Sequence, residues 1–209
     1  MSRIGIVLLA AGRGTRFGEA PKLLAQLDGV PLVRRVAEAA LAARPRPVVV
    51  VLGANDAAVR QALAGLDLTF VRNGAYADGL STSLKAGIAA LADCDAAIVM
   101  LGDMPLVDPA MIDRLAESFQ RAAPKPAAIV PVHGGRRGNP VLLNLRLLGA
   151  AIALLSGDRG AGPLLAGRSD VMEIDGDPST ALDIDTRDAL AQAEDHFARL
   201  ASLRQRSEQ

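Results

Sequence analysis

At 209 residues the chain is the size of one domain, at about 150 residues each, and long enough to bury roughly 70% of its unfolded surface without disulfide or metal staples. Its 23 Lys and Arg balance 23 Asp and Glu, so it lacks the basic surplus with which a general nucleic-acid binder displaces counterions. One Cys, two His, 2% aromatics and no Trp exclude an internal disulfide, Cys- or His-built metal centres and aromatic platforms for single strands. No apolar run is long enough for a membrane span or a secretory core, which fits a soluble, cytoplasmic protein.

In chain order, Ile4–Ala10 is a short β-branched apolar run and predicts a strand buried on both faces. A helical pattern follows over Leu32–Arg44, with Pro31 at a first helical position. Val48–Leu52 predicts a second strand, Ala57–Ala64 and Ser81–Ala92 two helices, the latter with Ser81 as a cap. Ala96–Leu101 is again a strand, Pro109–Ala123 a helix opened by Pro109, and Ala127–Pro131 a strand. Beyond residue 131 the rhythm loosens: a Gly-turned hairpin over His133–Leu143, a helix over Leu145–Leu155, then a Gly-rich loop with a helical turn over Gly157–Gly167. Strands over Val171–Ile174 and Leu182–Ile184 and a helix over Arg187–Arg206 complete the reading. Strands alternating with helices imply an α/β fold: a single Rossmann-like, three-layer domain with a mainly parallel sheet and right-handed crossovers. The domain is expected over residues 1–195, with 196–209 as a helix end and polar tail.

Ligands of such sheets sit at the carboxyl ends of the strands. The first such loop reads Leu9-Ala10-Ala11-Gly12-Arg13-Gly14-Thr15-Arg16-Phe17-Gly18-Glu19-Ala20-Pro21-Lys22. Its glycines let backbone N–H groups approach phosphate oxygens, and Arg13, Arg16 and Lys22 supply cations to hold a triphosphate's charge as pyrophosphate leaves. A P-loop is excluded because Gly18 is followed by Glu19 rather than Lys-Ser/Thr. A dinucleotide fingerprint fits poorly: the spacing is G-x-G-x-x-x-G, and Pro21 falls where helix should continue.

Two acidic segments lie further on. Asp103, in Gly102-Asp103-Met104-Pro105, stands at the tip of a buried strand, where it suits either Mg²⁺ or the capping of a turn. In Leu182-Asp183-Ile184-Asp185-Thr186, alternation puts Asp183 and Asp185 on one face and Ile184 on the other. There Asp185 is a second metal ligand, or Asp185 or Thr186 is simply the N-cap of the last helix.

The glycine loop with its Pro21-Lys22-Leu23-Leu24 continuation resembles the signature of sugar- and alcohol-phosphate nucleotidyltransferases. It is most similar to the MobA-like molybdenum cofactor cytidylyltransferases and their guanylyltransferase relatives. The resemblance implies a fold of nucleotide-diphospho-sugar transferase type. It implies a nucleotide held by Leu9, Ala10, Ala11, Gly12, Arg13 and Gly14, with Asp78, Gly79 and Ser83 of the Asp78–Leu84 segment and Gly102. It further implies Arg16 and Lys22 as catalytic residues and Mg²⁺ on Asp103 and Asp185. On the acceptor side, Arg136-Arg137-Gly138-Asn139-Pro140 resembles the family's Arg-Gly-His-Pro hairpin with Asn139 in place of His. Gly157-Asp158-Arg159-Gly160-Ala161-Gly162 resembles Gly-Asp-x-Gly-Ala-Arg with Gly162 in place of Arg, for which Arg159 or Arg168 is a substitute.

The implied partners are CTP (or GTP), a molybdopterin-type phosphorylated acceptor, and a molybdoenzyme or its chaperone. The Ala10-Ala11-Gly12 run resembles the cytidylyl version, the Cβ of Ala11 takes room that a purine would want, and Asp185 points the same way. An anionic acceptor phosphate needs no general base, consistent with the lack of a placed His. Three rivals stand beside this reading: a transferase for another phosphorylated acceptor, an NAD(P)-binding oxidoreductase using Gly12, Gly14 and Gly18, and a non-catalytic molybdenum cofactor carrier. Tyr76 reads as packing and Cys94 as inert.

Overall fold

The computed structural model describes residues 1–14, 17 and 21–194. Arg16, Gly18 and His196, and the part of the last predicted helix from residue 195 to Arg206, lie outside the described residues.

The elements run β1 (Ile4–Ala10), β2 (Gln26–Leu27), β3 (Val30–Pro31), α1 (Leu32–Ala42), β4 (Val48–Leu52), α2 (Asp56–Ala62), β5 (Thr69–Arg72), α3 (Leu80–Ala89), β6 (Ala96–Leu101), α4 (Pro109–Arg121), β7 (Ala128–His133), β8 (Arg136–Arg137), β9 (Val141–Asn144), α5 (Leu145–Ala153), α6 (Gly162–Leu165) and β10 (Val171–Asp175). A last helix, α7, covers 187–194. The main sheet has the order β10-β7-β9-β6-β1-β4-β5, with β8 hydrogen-bonded to β7. Strands β1, β4, β5 and β6 pair in parallel, as do β7 and β10, while β9 runs antiparallel between β6 and β7. The sheet is therefore mixed and mostly parallel.

Period-two alternation explains why its central strands read as unbroken apolar runs. Ile4, Ile6, Leu8 and Ala10 of β1, with Val48, Val50 and Leu52 of β4, face one apolar layer holding Val33, Val36 and Ala40 of α1 and Ile112, Leu115 and Phe119 of α4. Val7, Leu9, Val49 and Val51 face the other layer, with Leu84 of α3 and Leu148 and Ile152 of α5. Helix α4 starts where the sequence implies: Asp108 accepts a 2.7 Å bond from the Ala110 N–H, and Pro109 follows it. No described helix is long and apolar enough to cross a membrane.

Some expectations need correction. Ser81 is no cap: α3 begins at Leu80 after Gly79, and the Ser81 N–H bonds to the Gly157 carbonyl (3.1 Å) while its buried hydroxyl has no partner. Pro31 ends β3 and precedes the first helical residue. Leu182–Ile184 is not a strand, because instead of a ladder it has a backbone bond from Ile184 N–H to the Asp103 carbonyl (2.9 Å). Ile184 instead buries itself among Phe17, Leu27 and Leu32, a small satellite core. The Asp28-Gly29 turn between β2 and β3 has both residues at positive φ (52° and 72°), a hairpin signal present in the sequence and passed over.

Gly87 of α3 shows how closely helix and sheet approach: a Cβ there would sit 2.3 Å from Val7 Cγ1 and 2.9 Å from Val51 Cγ2. Gly149 of α5 has open space around it. Gly87→Ala should therefore lose about 1–3 kcal/mol in urea unfolding through overpacking. Gly149→Ala should gain about 0.5–1 kcal/mol from helix propensity. Equal effects at the two sites would contradict the packing described.

Candidate functional site

The carboxyl ends of β1 and β6 open into a cleft of about 530 Å³. Its floor is the loop after β1. Gly14 adopts φ +62°, and a Cβ there would lie 2.7 Å from Lys22 Cβ, so only glycine lets the loop fold back against the lysine. Lys22 opens a single 3₁₀ turn, Lys22–Leu24, which carries its ammonium over the cleft. Next to it, Gly102 at the end of β6 is joined to β1 by a bond from its N–H to the Leu9 carbonyl (3.0 Å).

Three charges converge there. Lys22 Nζ donates to Asp103 Oδ2 at 2.5 Å and to Asp185 Oδ1 at 2.8 Å, with all three side chains largely buried. Burial works against the ammonium's charge, but the Asp103 charge and hydrogen bond, joined by those of Asp185, overcome it and hold the Lys22 pKa above its ordinary value. The other oxygen of Asp103, Oδ1, is buried without a hydrogen-bond partner among the described residues, a costly arrangement that a ligand would relieve. The alternative roles of the two acids resolve accordingly. Thr186, not Asp185, caps α7, accepting from the Ala189 N–H at 3.1 Å, and the Asp103 side chain bonds Lys22 rather than capping its own turn.

The second wall is the turn before α3. Gly79 has φ +111° and ψ 172°, and a Cβ there would meet the Gly157 carbonyl carbon at 2.2 Å. The contact brings Asp158 into the cleft. Buried Asn73 locks this turn, donating to Thr82 Oγ1 (2.8 Å) and Ser83 Oγ (2.9 Å) and accepting from the Ala75 N–H (3.0 Å). Tyr76 also lines the cleft, its ring 5.6 Å from the Arg13 guanidinium.

Of the residues singled out in the sequence, Leu9, Ala11, Gly12, Arg13, Gly14, Lys22, Gly79, Ser83, Gly102, Asp103 and Asp185 all line this cleft. Two do not. Ala10 alternates to the opposite face of β1, in the layer beneath α1 and α4. Asp78 ends a 3₁₀ turn, Tyr76–Asp78, and is exposed outside the cleft. Tyr76 packs against the apolar layer of α3 as the sequence reading has it, but that reading missed that the residue also lines the cleft, and it missed Asn73, for which no motif gave a signal. It placed Asp158 with the acceptor, whereas the Gly79–Gly157 contact puts it beside the nucleotide segments.

A smaller chamber of about 270 Å³ adjoins the cleft, sharing Leu9, Leu80 and Leu101 with it. The Arg137-Gly138-Asn139 hairpin and Gly160–Gly162 line it, as the acceptor reading expects. Arg137 is steadied by Glu173 (2.9 Å) and the Leu165 carbonyl (3.2 Å). Neither Arg159 nor Arg168 lines either space, and Arg168 pairs with Asp170 at 2.7 Å. Cys94 is buried, and burial pushes its thiol up, which leaves it inert as expected.

Among the described residues no group of three or more His, Cys, Asp or Glu is placed to hold a metal ion. Two carboxylates on one cation, with Asp103 Oδ1 unpartnered, nevertheless fit an ion that takes one or two protein acids and completes its shell with phosphate and water. The geometry is poor for a dinucleotide. Among the described residues the first α-helix after β1 begins only at Leu32, well past Gly12 and Gly14.

A model of the MobA-like NTP transferase domain matches residues 6–172. The chain is 36% identical to nicotine blue oxidoreductase of Paenarthrobacter nicotinovorans, over 86% of this chain and 91% of that protein. It is 33% identical to a probable molybdenum cofactor guanylyltransferase of Natronomonas pharaonis, over 65% and 68% of the two chains. A solved Methanothermobacter nucleotidyl transferase superposes with a TM-score of 0.81 at 29% identity, covering 95% of this chain and 99% of that one. The manganese complex of Rv0371C from Mycobacterium tuberculosis gives 0.74 at 29%, covering 91% and 97%.

Gly79 gives the site its clearest stability test. Gly79→Ala combines a strained φ with a backbone clash, so it should cost more than about 2 kcal/mol in urea unfolding. A variant as stable as the parent would show that the two loops are not in contact.

Proposed function

The chain belongs to the MobA-like NTP transferase family, and on that premise we propose that it transfers CMP from CTP to the terminal phosphate of a molybdopterin-type acceptor, the molybdenum cofactor, with release of pyrophosphate. The observation that carries this reading is the Lys22 ammonium held between Asp103 and Asp185 beside the glycine loop, with one Asp103 oxygen left without a partner.

Asp103 and Asp185 would hold Mg²⁺, which when bound neutralises triphosphate charge and polarises the phosphoryl oxygens. The manganese complex of the Mycobacterium tuberculosis protein supports a divalent ion in this role. Lys22 and Arg16 supply cations for the charge that develops as the acceptor phosphate oxygen attacks the α-phosphorus. The bond from that phosphorus to the oxygen bridging it to the β-phosphate breaks, and pyrophosphate takes the electron pair. The acceptor phosphate is already anionic near neutral pH, so the chain's residues orient it and neutralise charge without removing a proton. The glycine loop backbone, with Gly79, Ser83 and Gly102, shapes the nucleotide's seat. CTP is preferred to GTP on the Ala11 methyl, buried beside Gly53 at the cleft floor, and on the acid at Asp185. The Natronomonas relative keeps GTP as the alternative base. A molybdoenzyme or its chaperone is the proposed recipient of the product.

A second reading, NAD(P)-dependent oxidation or reduction, is favoured by the Paenarthrobacter relative. It leaves the Lys22, Asp103 and Asp185 cluster without a task. The two readings separate when purified protein is given Mg²⁺ and molybdenum cofactor with CTP or with GTP, and pyrophosphate release and NAD(P)H consumption are followed in parallel. Pyrophosphate with CTP, and CMP attached to the cofactor, is expected. Release with GTP alone would overturn the base assignment, and NAD(P)H turnover without pyrophosphate would overturn the transferase. Lys22→Ala should lower turnover at saturating CTP roughly 10²–10³-fold, and near-normal turnover would remove the lysine from the reaction.

A further inference from the structure

We infer that Tyr76 is the stacking seat of the nucleobase and that the Arg13 guanidinium occupies that seat until the nucleotide arrives. This rests on the nucleotide reading of the cleft, and concerns a residue that packs against the apolar layer of Val7, Leu9 and Leu84 and also lines the cleft. Both side chains line the same cleft, and the guanidinium lies 5.6 Å from the ring centroid, so the face between them is turned to the ligand space. Tyr76 is only partly buried, and its position is exact in the fold: a Cβ on Gly53, at the end of β4, would lie 2.7 Å from Tyr76 Cβ and from Ala11 Cβ alike. Glycine at 53 is what lets the tyrosine lie against the floor of the loop after β1.

The orientation follows from the sheet. Strands β6, β1 and β4 are neighbours, and two strand spacings put the tips of β6 and β4 about 10 Å apart. The charged cluster of Lys22, Asp103 and Asp185 stands at the β6 tip and Tyr76 at the β4 tip. That separation suits a nucleoside monophosphate lying across β1 with its phosphate at the charges and its base at the ring. A planar, delocalised guanidinium is a fitting place-holder for a planar base. A surface cation–π contact is worth roughly twofold to fivefold in binding, whereas base–aromatic stacking is worth roughly fivefold to 150-fold. The exchange therefore favours the base and releases Arg13 toward the phosphates. Stacking also tolerates any base, so Tyr76 contributes affinity for CTP and GTP alike and leaves discrimination to other groups.

Tyr76 is the chain's one Tyr, and there is no Trp, so tyrosine emission reports on this residue alone. Titration of the full chain with CTP and separately with GTP, corrected for nucleotide absorbance, is expected to change that emission saturably. Tyr76→Leu should raise KM for the nucleotide roughly tenfold to hundredfold with kcat changed less than about twofold, and Tyr76→Phe should restore KM. Should Tyr76→Leu fold poorly, Arg13→Met in the parent serves: it frees the ring and should alter the emission of the nucleotide-free protein but not of the saturated one. An unchanged KM in a folded Tyr76→Leu, or an emission indifferent to both nucleotides, would overturn the inference. Saturable emission changes alongside NAD(P)H turnover, and no pyrophosphate release when the cofactor acceptor is also present, would instead sink the transferase and leave the seat standing.

Discussion

The ammonium of Lys22 ties together segments that the chain separates widely. Asp103 ends a central strand, Asp185 follows an irregular stretch near the end of the described chain, and Lys22 leaves a loop built on glycine. Two carboxylates brought this close and largely buried would repel one another without a cation between them. The site is thus prepared for positive charge before any ligand enters. The apolar satellite of Phe17, Leu27, Leu32 and Ile184 fixes the same segments from behind. The bond from Ile184 N–H to the Asp103 carbonyl sets their register. Electrostatic convergence in front and apolar burial behind make Asp185 part of a rigid wall although no strand carries it.

Backbone proximity does the rest. Gly14 against Lys22, Gly53 against Ala11 and Tyr76, and Gly79 against Gly157 are three places where a side chain would push a loop out of position. Gly12 is different, since a Cβ there would meet nothing. It lines the cleft without enclosing it.

Much of this was legible. The continuous apolar runs of β1, β4 and β6 mark strands covered on both faces, and the alternation of Asp183, Ile184 and Asp185 gave the sides correctly even though the segment is not a strand. The lysine and both acids were found from loop position and family likeness. Ala10 and Asp78 were assigned by segment, and a segment's membership in a loop does not say which way each side chain turns. Ser81 carried the residue type of a cap, but the helix starts one residue earlier, at Leu80, and places Ser81 inside it. Tyr76 meets Arg13 and Gly53 from loops remote in sequence, which no local spacing encodes, while the bonds of Asn73 to Ala75, Thr82 and Ser83 are local but follow no motif.

The wall of Leu9, Leu80 and Leu101 belongs to both the nucleotide cleft and the smaller chamber behind it. A molecule long enough to fill both spaces gains the second set of contacts at high effective concentration once the first is made. Under the proposed transfer the joined product would be such a molecule, while each reactant would fill only one space. A partition that aligns two substrates would then also retain what they become. Escape of the product, rather than bond making, would be the step against which such a fold must be tuned.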